Sequence, residues 1–206
     1  MAFTTDMNIR KLNIQHTQKP IFDSYSSLDV PLVKQATFWG FALTGGTAVQ
    51  YLARQYSVKE RRKRSINDLD FIVAARNIKI EDFVSYLETQ GFVPTKMGVS
   101  EYMVFLENKE VGVEVDVMID WTPHVEDTFV KVGPILTVSP VALFLSKVQR
   151  LTTKSAKDVT DKQDLNTLYD IIEQRGEIEK LESELSGEGF TEQQSQELND
   201  WLQDNQ

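Results

Sequence analysis

A chain of 206 residues that is 41% hydrophobic and 26% charged can bury a sizeable core as one large domain or two small lobes, which excludes an intrinsically disordered protein. The absence of cysteine excludes a disulfide framework and any thiolate metal site. No apolar run approaches a membrane span and "MAFTTDMNIRKLNIQ" carries no apolar secretory segment, so a cytoplasmic protein with no membrane partner is expected.

A net charge of −9 argues at first against a nucleic-acid partner, but the charge is unevenly spread. Residues 173–206 hold ten acidic and two basic side chains, which leaves residues 1–172 at −1. The acidity belongs to a tail, and the bulk isoelectric point says little about what the body binds.

Residues 1–20 show no clear period. "SLDVPLVKQATFWG" predicts a helix starting near Asp29, with Pro31 tolerated in its first turn. "FALTGG" reads as a short apolar strand ending in two glycines, and "TAVQYLARQY" as a helix with its stripe at Ala48, Val49, Leu52, Ala53 and Tyr56. A strand "DLDFIVA" and an amphipathic helix "IEDFVSYLETQGF" stopped by Gly91 follow. "EYMVFLE" and "VGVEVDVMI" predict an antiparallel pair turned by "NKE", and "FVKVGPILTV" one strand or two. From there the pattern is helical: "SPVALFLSKVQRL" with Ser139 as N-cap and Pro140 at the first position, then "KDVTDKQDLNTLYDIIEQRG". Two short acidic helices broken by "SGEG" close the chain, the last opened by a capping box from Thr191 to Gln194. The expected division is an α/β lobe over 1–138 and a helical lobe over 139–206.

In the strand "NDLDF" side chains alternate, so Asp68 and Asp70 share a face while Leu69 and Phe71 point into the core. An isolated D-x-D is more often a solvated sheet face. The second acidic strand shifts that balance: in "VGVEVDVMID", Glu114 and Asp116 share one face and Val113, Val115 and Val117 the other. Carboxylates converging on one sheet face suit Mg²⁺, which takes a few carboxylate oxygens together with water and phosphate. "LTGGTA" adds a strand-to-helix turn whose outward N–H groups, with no side chain on Gly45 or Gly46, suit an anion.

"LTGGTA", "SINDLDF" and "VEVDV" together resemble the signature of the DNA polymerase β-like nucleotidyltransferases, and "GGTA … S-x-x-DLDF" is most similar to the AbiEii-type toxins of toxin–antitoxin and phage-defence systems. The resemblance covers Leu43 to Ile119 well and the helical half loosely. It implies an α/β (α+β) nucleotidyltransferase fold with a small mixed sheet flanked by helices, followed by the helical lobe. It also implies two Mg²⁺ (or Mn²⁺) on Asp68, Asp70 and Asp116, with Glu114 competing for the third place. The triphosphate would fall to Thr44, Gly45, Gly46 and Thr47, with Ser65 supporting the loop, and to Lys147 in the helical half, where Asp161 would complete the nucleotide-binding site. Asp164 is a rival to Asp161.

One departure is the 21 residues between Gly46 and Asp68, more than the family usually has. The excess coincides with "SVKERRKR", so Arg61, Arg62, Lys63 and Arg64 are candidates for binding a phosphate-rich acceptor, with Arg54 nearby. A solvated loop fits the same run equally well. The function so implied is transfer of NMP from NTP to an acceptor hydroxyl, on tRNA or another RNA, with an antitoxin as partner. A small-molecule, antibiotic-type acceptor and an inactive binding protein of the same fold are the alternatives. His16 and His124 read as incidental, and Trp39, Trp121 and Trp201 as packing anchors.

Overall fold

The computed structural model describes residues 31–61, 68–77, 79–99, 101–110, 112–150, 156–187, 191, 194–196, 198, 200 and 201. The elements in chain order are α1 (Pro31–Phe38), β1 (Ala42–Leu43), α2 (Gly45–Gln55), β2 (Asp68–Ala74), α3 (Ile80–Thr89), β3 (Val93–Val99), β4 (Met103–Asn108) and β5 (Val113–Asp120). After a 3-10 turn at Val125–Thr128 come β6 (Phe129–Val132), β7 (Ile135–Val138), α4 (Pro140–Val148), α5 (Ala156–Gln174) and α6 (Ile178–Gly187).

The seven strands form one mixed sheet in the order β3-β4-β5-β2-β1-β7-β6. β2 runs parallel to β5 and antiparallel to β1, while β1 runs parallel to β7. The predicted alternation holds on both acidic strands. Leu69, Phe71 and Val73 of β2 and Val113, Val115, Val117 and Ile119 of β5 are buried, and the acids between them are not. This apolar face packs on α3, where the Phe83 ring meets Phe41, Phe71 and Trp39 at centroid distances of 4.5, 5.8 and 6.0 Å. α3 ends as predicted: Gly91 takes φ +84°, and Phe92 N–H bonds back to Leu87 O at 3.1 Å.

Strand β3 was not anticipated. "VPTKMGV" carries Pro, Lys and Gly, which are depleted in strands. It survives because it is an edge, paired only with β4 and with a register shift between Pro94 and Val99. The two glycines expected to end β1 instead open α2, and β1 itself is only two residues long.

Ser139 caps α4 as expected, accepting from Ala142 N at 3.2 Å. α5 packs on both α4 and α2, so the later helices share the core of the sheet. The capping box also forms: Gln194 N donates to Thr191 Oγ1 at 3.2 Å and Thr191 N to Gln194 Oε1 at 2.7 Å. It leads to Trp201, buried edge-on against Phe144 and Tyr169 and donating through Nε1 to Asn166 Oδ1. Trp39 and Trp201 are the packing anchors expected. Trp121 is not: it is 62% exposed, with Nε1 donating to Glu101 O at 3.1 Å, because it follows the last residue of β5 and leaves the sheet. No helix among the described residues is long and apolar enough to cross a membrane.

The buried contacts of Trp201 make the acidic tail part of the fold. Trp201→Ala should cost about 3–5 kcal/mol of unfolding free energy in urea titrations, against a few tenths for an exposed residue.

Candidate active site

Parallel pairing of β2 with β5 places Asp70 opposite Asp116 and Asp68 opposite Glu114. One oxygen from each of Asp68, Asp70 and Asp116 lies within 4.8 Å of the other two. Glu114 is exposed and outside this group, so of the two rivals on β5 it is Asp116 that the fold gathers with the D-x-D pair.

The glycine turn and the acidic strand are laced together. Thr44 N donates to Asp70 O at 2.8 Å, and Thr47 Oγ1 to Asp68 O at 2.9 Å. Gly45 adopts φ +64°, and a Cβ on it would stand 1.9 Å from Asp70 Oδ2. Glycine is therefore required twice at this position, for the left-handed backbone and for the carboxylate against its Cα. Thr44 makes no side-chain cap bond, which leaves the first amides of α2 directed outward at the positive end of the helix.

On the other side stand α4 and α5. Lys147 is only 2% exposed, with Nζ 2.8 Å from Asp161 Oδ1 and 2.7 Å from Asp164 Oδ2. Asp161 and Asp164, rivals on sequence grounds, both pair with it. Removing the lysine would take from two buried carboxylates their close ammonium partner, a loss of about 3–5 kcal/mol. Arg150, just past the end of α4, reaches Asp161 Oδ1 at 3.5 Å with its side chain 54% exposed.

These elements enclose a cleft of about 840 Å³. Thr44, Gly45, Asp70, Asp116, Lys147 and Arg150 line it, with Asp68 beside them. Ile72, Met103 and Met118 extend its floor towards the strand ends, where Asp120 and Asp127 also line it. Lys180 and Glu184 of α6 face in from the acidic tail. Sequence reasoning passed over Arg150 and Asp120. Each carried a local signal, Arg150 three residues after Lys147 on the same helical side and Asp120 two alternations beyond Asp116. His124, read as incidental, lines the cleft from a left-handed turn at φ 62°.

The basic run is described only at its start. Arg54 pairs with Glu60 at 2.7 Å, and Arg61 pairs with Asp170 of α5 at 2.9 Å. Arg62, Lys63, Arg64 and Ser65 lie outside the described residues.

Electrostatically the three aspartates repel. Asp70 is pushed up to about 6, chiefly by burial and then by the charges of Asp68 and Asp116, against the smaller opposing pull of Arg150 and Lys147. Asp116 is also pushed up to about 6, by burial and then by Asp68 and Glu114. Ionising either carboxyl in the folded state is unfavourable without a cation between them.

No protein-family model matches the chain, and no curated protein matches its sequence. Solved structures do resemble it. The Megavirus polyadenylate synthase superposes with a TM-score of 0.50 at 12% identity, over 68% of this chain and 29% of that one. An antigenic nucleotidyltransferase-like protein from Paracoccidioides brasiliensis gives 0.48 at 16% identity, over 84% and 90% of the two chains. JHP933 from Helicobacter pylori gives 0.42 at 16%, over 69% and 67%. The likeness to the polyadenylate synthase shows a shared fold. The chain spans only 29% of the length of the polyadenylate synthase, so the likeness concerns architecture.

Two outcomes follow for the metal-free protein. A carboxyl whose folded pKa is raised weakens the fold fully above about 6 and not at all below its ordinary value near 4. Asp70→Asn should therefore raise the metal-free melting temperature at pH 7.5, and the difference from wild type should vanish by about pH 4 in calorimetric scans. Gly45→Ala should lower stability by about 1–3 kcal/mol and displace the Asp70 carboxylate, read as weakened Mn²⁺ binding by paramagnetic resonance.

Proposed function

We propose that the protein is a divalent-metal-dependent nucleotidyltransferase that moves a nucleoside monophosphate from an NTP to an acceptor hydroxyl. The observation that carries this reading is the triad of carboxylate oxygens within 4.8 Å of one another, two on the strand laced to the glycine turn and the third on its parallel neighbour. An all-oxygen, acidic donor set is hard in character and fits Mg²⁺ or Mn²⁺. Burial and, after it, the charges of the neighbouring carboxylates push Asp70 and Asp116 up to about 6, and a bound cation would offset both. Asp68, Asp70 and Asp116 would hold the metals, which when bound offset phosphate charge and lower the pKa of the acceptor hydroxyl.

The chain's own groups supply the rest. The outward amides at Gly45, Gly46 and Thr47 donate to phosphate oxygens, and the bare Gly45 Cα lets them approach. Ile72, Met103 and Met118 give an apolar floor two residues along from the triad, or about 7 Å, suited to a planar base. The acceptor oxygen bonds to the α-phosphorus as the bond to the bridging β-phosphate oxygen breaks. Pyrophosphate leaves, and the hydroxyl proton passes to a triad carboxylate or to solvent.

For the acceptor, two readings have support. An AbiEii-type toxin or defence protein acting on tRNA or another RNA, held in check by an antitoxin, is supported by the wording of the motifs and by the cationic run Lys59–Arg64. A cationic small-molecule acceptor is supported by Asp120, Asp127 and Glu184, which give the cleft an acidic lining that disfavours RNA phosphates.

Incubation with each α-labelled NTP, Mg²⁺ and separate RNA, protein and aminoglycoside pools tests both. Label should move to one pool only, require the divalent ion, and fall by about 10³-fold or more in Asp70→Ala. Transfer at the wild-type rate by an Asp68→Ala/Asp70→Ala double variant would falsify the mechanism.

A further inference from the structure

The resemblance gives the triphosphate to Lys147, but the ion pairs between α4 and α5 argue for a different division of labour. Lys147 is almost completely buried, and its ammonium is held at 2.8 and 2.7 Å by two carboxylates. To reach a phosphate it would have to give up both of these close ion pairs, made with carboxylates only 12% and 3% exposed. Its charge is already balanced where it stands.

Arg150 is placed differently. It lines the same cleft, lies three residues further on, and keeps its side chain 54% exposed. Asp161, already bound to Lys147, also stands 3.5 Å from the Arg150 guanidinium, so one oxygen links the buried cation to the exposed one. Lys180 of α6 lines the cleft as well. A guanidinium presents a planar fork of donors that matches phosphate oxygens in pairs, and it stays charged at every working pH.

We propose that Arg150, rather than Lys147, is the side chain that meets the polyphosphate tail of the substrate, and that Lys147 is a positioning residue acting through Asp161. This rests on the nucleotidyltransferase reading above and assigns the anion-binding end of that site. Lys147 and Asp164 anchor Asp161 between the two helices. Asp161 in turn sets the direction of Arg150 towards the aspartate triad.

The test is calorimetric titration of the full chain with Mg²⁺-tripolyphosphate, beside thermal melting and Mn²⁺ binding by paramagnetic resonance. Arg150→Ala should weaken tripolyphosphate binding by about 10- to 100-fold with little change in melting temperature, and Arg150→Lys should recover part of the loss. Lys147→Met should instead lower the melting temperature sharply. Asp161→Asn, which keeps the Lys147–Asp164 pair, should weaken tripolyphosphate binding while leaving Mn²⁺ affinity unchanged. Combined with Arg150→Ala it should add nothing further, a non-additivity that a purely structural role does not produce. Wild-type affinity in Arg150→Ala, or a melting loss there equal to that of Lys147→Met, overturns the assignment. Failure of the wild-type protein to bind tripolyphosphate at all would overturn the nucleotidyltransferase reading itself, and the assignment with it.

Discussion

Between β2 and β5 the chain runs parallel, with Asp70 opposite Asp116 and Asp68 opposite Glu114. Side chains on a strand alternate, so sliding either strand by one residue would send its acids into the core and its valines into the cleft. Burial holds the register. Leu69, Phe71 and Val73 on one strand and Val115 and Val117 on the other are 3% exposed or less, and each fully buried side chain contributes about 1.5–3 kcal/mol. That sum outweighs the repulsion among three carboxylates on the opposite face. The apolar side of the sheet thus forces together groups that would otherwise separate.

A second constraint fixes the depth of the site. The Asp70 carboxylate occupies the space that a side chain at position 45 would need, and Thr44 and Thr47 bond to the backbone of the strand that carries it. The N-terminus of α2 and the D-x-D strand are therefore one rigid unit rather than two motifs that happen to meet. On the far side the ion pairs of Lys147 bind α4 to α5, and α5 packs back on α2. The cleft is bounded by elements that share one core, and its two walls cannot shift independently without opening that core.

Much of this was legible because its signals are local. Period-two alternation exposed the two acidic faces, the Gly-Gly turn announced a helix start, and Ser139–Pro140 and Thr191–Gln194 marked their caps without reference to the rest of the chain. What could not be read depends on distant partners. Nothing in "VEVDV" distinguishes Glu114 from Asp116, since both share a face; the decision comes from which one meets Asp70 across the sheet. β3 was hidden because edge strands tolerate Pro, Lys and Gly that a central strand would reject. Asp161 and Asp164 looked like rivals only because a sequence does not show that one ammonium can sit between both. Trp121 was misjudged because burial was inferred from residue type, whereas its place past the end of β5 leaves it in solvent.

The molecule holds two clusters of aspartates a short distance apart, and their contrast separates structure from chemistry. Asp161 and Asp164 enclose a lysine, so their charge is answered within the fold and the cluster works as a rivet between helices. Asp68, Asp70 and Asp116 instead crowd one another, and Asp70 and Asp116 are pushed up to about 6, first by burial and then by the neighbouring carboxylates, against the smaller pull of Arg150 and Lys147 on Asp70. A fold that needed only stability would have supplied a lysine there too, or an asparagine. Holding such a cluster weakens the metal-free protein above about pH 6, and a divalent cation between the carboxylates would offset that cost, which makes the triad rather than the lysine-bound pair the candidate site for chemistry.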